Sequence, residues 1–117
     1  MKDGKPSPNG WKNPRYFRSS VTHWAGRIRV EPRCVDLRPM TRKWASCSTK
    51  GFVVFNTQLL DESREFGKYV IVHELLHLQV PNHGRLFKSL LTAHMPDCKE
   101  REQLTRKLSA HPQDNAG

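Results

Sequence analysis

Apolar positions recur along this chain in several distinct patterns, and each predicts a different element. Between Pro14 and Ala25, the residues Tyr16, Phe17, Val21 and Trp24 fall near helical spacing. Pro14 suits a first-turn position and Gly26 marks a stop, so a first helix is expected there. Arg27-Ile28-Arg29-Val30 then alternates polar and apolar, as does Cys34-Val35-Asp36-Leu37-Arg38. Both read as strands, and Pro39 keeps the second from running far into a sheet. Lys43–Ser48 and Phe52–Asn56 flank Ser48-Thr49-Lys50-Gly51, a hairpin pattern in which Gly51 can take positive φ. Phe52-Val53-Val54-Phe55 is an unbroken apolar, β-prone run, which predicts a central strand covered on both faces.

The longest helical pattern follows. Asp61 or Ser63 can cap it. Phe66, Val70, His73, His77 and Val80 mark one face, while Ile71, Leu75 and Leu78 mark another, with Val72 and Leu76 between them. Such wide apolar coverage predicts a helix buried on most sides, ending near Gln79 or Val80 because Pro81 cannot continue it. Asn82 is the expected cap of a next helix carrying Leu86, Phe87, Leu90 and Leu91, which Met95-Pro96 breaks. Asp97 and Glu100 supply a D-x-x-E cap for a last helix with Leu104 and Leu108 on one side. The order is helix, strands, then three helices, an α+β arrangement with a small sheet packed on helices.

Length and charge refine this picture. The chain has 117 residues, enough for one domain. Residues 1–13 read as a flexible basic lead-in, 14–109 as the domain, and 110–117 as a disordered tail. No window holds the roughly 18 apolar residues a membrane span needs, and the N-terminus has no apolar core of a signal peptide. Three widely spaced cysteines (Cys34, Cys47, Cys98) fit a reduced, cytoplasmic protein better than a disulfide framework. The net charge of +9 is uneven: residues 1–60 carry 12 Lys/Arg against 3 Asp/Glu, and residues 61–117 carry 8 of each. A basic N-terminal half suggests an anionic partner such as nucleic acid, and no membrane.

The chemistry lies in His73-Glu74-Leu75-Leu76-His77, with His83 six residues on. Positions i and i+4 share a helix face, so His73 and His77 can hold one metal ion between them. His83 can complete a three-nitrogen Zn²⁺ site with one open position, and Glu74 is placed to act as base on water. Burying two imidazoles and a carboxylate amid Val, Ile and Leu is costly without a partner, and a metal is such a partner. Tyr69, Arg85, His94 and Arg101 are candidates for an oxyanion donor. The spacing equals that of the metzincin signature, but Val80 stands where metzincins place a glycine, so the turn is built differently. Met95 reads as packing rather than a floor beneath the metal.

Residues from about Arg38 to Leu104 resemble the YgjP-like metallopeptidase family, a minimal zincin group. The resemblance is carried by Thr41-Arg42-Lys43-Trp44-Ala45-Ser46-Cys47, Lys50-Gly51, Phe55-Asn56, His73-Glu74-Leu75-Leu76-His77-Leu78, Asn82-His83, Phe87 and Met95-Pro96-Asp97. Ala45 and the inserted Lys43 depart from its strand pattern, and Lys88 stands where an aromatic residue often follows. The resemblance implies a zincin-like domain with a three- to four-stranded, mostly antiparallel sheet and the histidine helix at its centre. It also implies zinc on His73, His77 and His83, Glu74 as catalytic base, and a peptide or protein substrate paired along the Trp44 strand. The expected function is therefore that of a zinc metallopeptidase. Two alternatives stand beside it: a DNA-associated protease similar to the SprT-like zincins, and a non-catalytic, zinc-stabilised binding module.

Overall fold

The computed structural model describes residue 11, residues 13–96 and residues 98–110, the last group with side chains from residue 103 onward. Outside these lie most of the lead-in, the Asp97 and Glu100 cap, the Arg101 side chain, and residues 111–117 of the tail.

Helix α1 spans Pro14–Ile28. The Asn13 side chain caps it by accepting from Tyr16 N at 2.9 Å, with Pro14 in the first turn. Phe17, Val21, Ala25 and Ile28 form its buried stripe. The strand expected at Arg27–Val30 is therefore the end of this helix. Gly26 does not stop it, because burial of Ile28 at 4% exposure extends the helical stripe one turn further. Arg29 closes the helix at φ 69°, its N–H donating to Ala25 O at 2.8 Å.

Three strands follow: β1 (Cys34–Arg38), β2 (Ala45–Cys47) and β3 (Phe52–Asn56). Their order is β1-β3-β2. β3 pairs parallel with β1 and antiparallel with β2, so the sheet is mixed where a mostly antiparallel one was expected. The reason is connectivity. β2 and β3 form the predicted hairpin, with Gly51 at φ 93°, and residues 39–44 carry the chain from β1 across to the far side of β3. β3 is central, as expected, but its burial alternates. Val53 and Phe55 are buried, Val54 is half-buried and Phe52 is 46% exposed. Phe55 meets Phe17 of α1 edge-on at 5.3 Å, whereas Phe52 lies under the Arg33 guanidinium.

A short 3-10 turn, Thr57–Asp61, leads into α2 (Arg64–Leu76). Ser63 caps α2 by accepting from Phe66 N at 3.2 Å. The last turn tightens, with His77, Leu78 and Gln79 donating to carbonyls three residues back, so the α-helix ends before the Gln79 predicted from Pro81. Phe66, Val70, Ile71, Val72, Leu75 and Leu76 are fully buried, and Trp11 lies flat over Gly67. A Cβ at Gly67 would sit 2.6 Å from Trp11 Cζ2, so only glycine admits this approach. Helices α3 (Arg85–His94) and α4 (Cys98–Ser109) complete the domain. Gly84, not Asn82, is the N-cap of α3, and it makes no side-chain cap bond. Among the described residues no helix is long and apolar enough to cross a membrane.

Asn56 fixes the loop between β1 and β2. It is 1% exposed. Its Nδ2 donates to Met40 O at 2.9 Å and Lys43 O at 2.8 Å, and its Oδ1 accepts from Gln58 N at 3.0 Å. Truncation leaves the Met40 and Lys43 carbonyls without these donors. Asn56→Ala should cost about 2–4 kcal/mol in denaturant unfolding; an unchanged midpoint and slope would show that water replaces these bonds.

Candidate metal centre

His73 and His77 lie half-buried at the C-terminal end of α2, beside the buried Glu74. His73 and Glu74 side chains are 15% and 11% exposed. Beyond the tightened end of α2, Pro81 and Asn82 swing the chain back so that His83 returns to the same point. Ligand-capable atoms of His73, His77 and His83 all lie within 4.8 Å of one another. His77 Nε2 and His83 Nε2 are 3.0 Å apart.

Hydrogen bonds outside the cluster set the tautomers. His77 Nδ1 is 3.1 Å from Pro81 O, and a carbonyl can only accept, so Nδ1 carries the proton and Nε2 the lone pair. His73 Nδ1 lies 3.3 Å from Glu74 Oε2, which likewise leaves Nε2 of His73 as the donor atom. The residues fit a metal. Two nitrogens about 2.0–2.1 Å from one tetrahedral ion sit about 3.3 Å apart, close to the His77–His83 separation. Lone pairs held that close need a proton or a cation between them.

The proton is disfavoured at His83. Partial desolvation lowers the pKa of this imidazole from the usual 6.5, the neighbouring His73, His77 and Lys88 lower it further, and Glu74 acts in the opposite direction. The Cys47 thiol lines the same cleft as Glu74. Its pKa is raised, first by burial and then by the Glu74 charge, so it stays a neutral thiol rather than a thiolate ligand.

Phe87 of α3 supports the cluster from below. Its ring lies 5.2, 4.8 and 4.8 Å from the rings of His73, His77 and His83, and it is 2% exposed. Helical spacing marks Phe87 as a core residue, but nothing in the sequence shows that it touches all three imidazoles. The Pro81 carbonyl is equally invisible there, since a backbone acceptor has no residue signature.

Two clefts meet at the histidines. One, of about 530 Å³, runs past β2, with Lys43, Ala45, Ser46 and Cys47 on one wall and Glu74, His77 and His83 on the other. The second, of about 690 Å³, opens between α3 and α4 and takes in Tyr69, His73 and His83. Of the four oxyanion candidates, Tyr69 lines this second cleft, with its hydroxyl 2.7 Å from Thr105 Oγ1. His94 packs edge-on against Trp24, and Arg85 lines a separate shallow groove at the start of α3. Trp44 itself is buried against Phe66 and donates to Ala110 O at 2.9 Å, so the cleft wall is the rest of its strand. Met95 packs against the core, as expected.

In fold, and in gathering three histidines at the end of its central helix, the chain is a small zincin-like metallopeptidase domain. It belongs to the YgjP-like metallopeptidase family, whose domain model matches residues 12–108. No curated protein matches it in sequence. It is similar in structure to the zymogen of Pyrococcus abyssi abylysin, a metallopeptidase, with a TM-score of 0.67 and 22% identity, covering 80% of this chain and 96% of that one. The zymogen of Methanocaldococcus jannaschii jannalysin is also similar, with a TM-score of 0.69 and 24% identity, covering 78% of this chain and 91% of that one.

Titration of the metal-free protein with zinc should show His83→Ala binding at least about 10–100-fold more weakly than the parent. In the parent, protonation of His83 competes with metal only below 6.5, so any loss of affinity due to this residue should appear on the acid side of that value. Unaltered affinity in His83→Ala would remove it from the ligand set.

Proposed function

We propose that this chain is a zinc-dependent peptidase in which His73, His77 and His83 hold the metal and Glu74 is the general base. The observation that carries this reading is the meeting of three imidazoles, within 4.8 Å, beside a buried carboxylate where two clefts join. A zinc ion held there would supply Lewis acidity to a water molecule and to a carbonyl oxygen. The Glu74 carboxylate takes the proton of the water that attacks the carbonyl carbon, then returns it to the leaving amine nitrogen. Its low exposure strengthens its interaction with charge that develops beside it. β2 lies at the edge of the sheet along one cleft, which suits an extended peptide held by main-chain hydrogen bonds. Clefts on both sides of the histidines favour an open catalytic site over a closed structural one.

Glu74→Gln should retain zinc by elemental analysis and lose about 10²–10⁴-fold in peptide cleavage. Zinc-dependent cleavage that survives this substitution would rule Glu74 out as the base.

A nucleic-acid partner is a second reading, favoured by the exposure of Arg15, Arg29, Arg42 and Lys43, none of which pairs with a described carboxylate. Binding to a DNA duplex should then weaken steeply between low and moderate salt. Absence of any salt-dependent shift would leave the basic surface without this role.

A further inference from the structure

We propose that the cavity between α3 and α4 is a carboxylate-recognition subsite, and that the peptides cut by this chain present an acidic side chain or a free C-terminus to it. This inference rests on the peptidase reading above. The cavity, of about 690 Å³, starts at His73 and His83, so a peptide whose scissile bond lies at the histidines can send a neighbouring group into it. Phe87 and Leu91, both buried, give it an apolar floor. Among the described residues its two charged lining side chains are cations from different helices, Lys88 on α3 and Arg106 on α4, and no described Asp or Glu lines it.

Two other basic side chains of the domain are neutralised locally. Lys107, next to Arg106, pairs with Glu62 at 2.5 Å, and Arg38 pairs with Asp36 at 2.8 Å. Lys88 and Arg106 have no such partner among the described carboxylates. Two like charges lining one cavity repel each other until an anion joins them, and a guanidinium grips a carboxylate through two parallel bonds. The apolar floor accepts the methylene groups of a Glu or Asp side chain, while the two cations accept its head. The cleft beside β2 has no such bias, because its lining includes the Glu74 carboxylate as well as Lys43.

The test uses the full zinc-loaded chain for cleavage and its Glu74→Gln variant for binding. Labelled peptides differing only in Glu against Gln at successive positions, each with a free or an amidated C-terminus, are titrated by fluorescence anisotropy. One Glu position, or the free C-terminus, should bind about 10–100-fold more tightly than its neutral counterpart. Whichever arm shows the preference identifies the source of the carboxylate. Combining Lys88→Glu with Arg106→Glu should reverse it in favour of Lys peptides, whereas Lys88→Arg with Arg106→Lys should keep it. Equal binding within every pair, or none at all, overturns the subsite, and so does a preference that survives charge reversal. Cleavage without carboxylate preference overturns the subsite and leaves the peptidase reading standing. Selective binding of acidic peptides with no cleavage of any peptide does the opposite.

Discussion

Helix α2 is enclosed by α1, the β2 side of the sheet, α3 and α4. Phe66, Val70, Ile71, Val72, Leu75 and Leu76 fill the enclosed sides at 0% exposure. Much of the rest of the domain can be understood from that enclosure. Burying so many large side chains on one helix fixes its rotation, because turning it by one residue would expose several of them at about 1.5–3 kcal/mol each. The positions of His73, Glu74 and His77 at its C-terminal end are therefore fixed as well. A metal site needs its donors held to within fractions of an ångström, and a rigid buried helix meets that need better than a loop.

The third imidazole comes from outside this helix, and its placement depends on smaller interactions. The tightened last turn of α2 and the Pro81 carbonyl orient His77, and the loop that supplies the carbonyl also returns His83 to the cluster. Phe87 then fills the space beneath all three rings. One segment thus sets the tautomer of one histidine and positions another. Asn56 does comparable work for the strand that lines one cleft. Its side chain ties together the loop before β2 and the turn after β3, so the edge of the sheet is held at the mouth of the cleft.

Charge is distributed on a different logic from packing. The sequence places all of its net +9 in the first half, yet the cations nearest the histidines include Lys88 and Arg106 from the electrically balanced second half. Among the described groups that line the two clefts, Glu74 is the one carboxylate. Burial, and after it the Glu74 charge, raises the Cys47 pKa, while burial, and after it the imidazoles and Lys88, lowers that of His83. The neutral thiol and neutral imidazole that result are the forms suited to a site where nitrogen, not sulfur, supplies the donors.

Several features were legible from local pattern alone: the Ser63 cap, the buried character of α2, the Gly51 hairpin, the central place of β3 and the histidine spacing. Each depends on interactions within a few residues, which the order of side chains encodes directly. Local alternation at Arg27–Val30 misled because four residues cannot separate a strand from the last turn of a helix, and burial of Ile28 decides the matter. The apolar run at Phe52 likewise overstates its burial, since the helices pack against Val53 and Phe55. By itself the sequence determined which chemical groups are present and which faces must be buried. Only the tertiary structure decided that β1 lies parallel to β3, that Phe87 supports three imidazoles, and that the histidines open onto two clefts of different charge. Those outcomes depend on contacts between segments far apart in the chain, whose geometry no local period records.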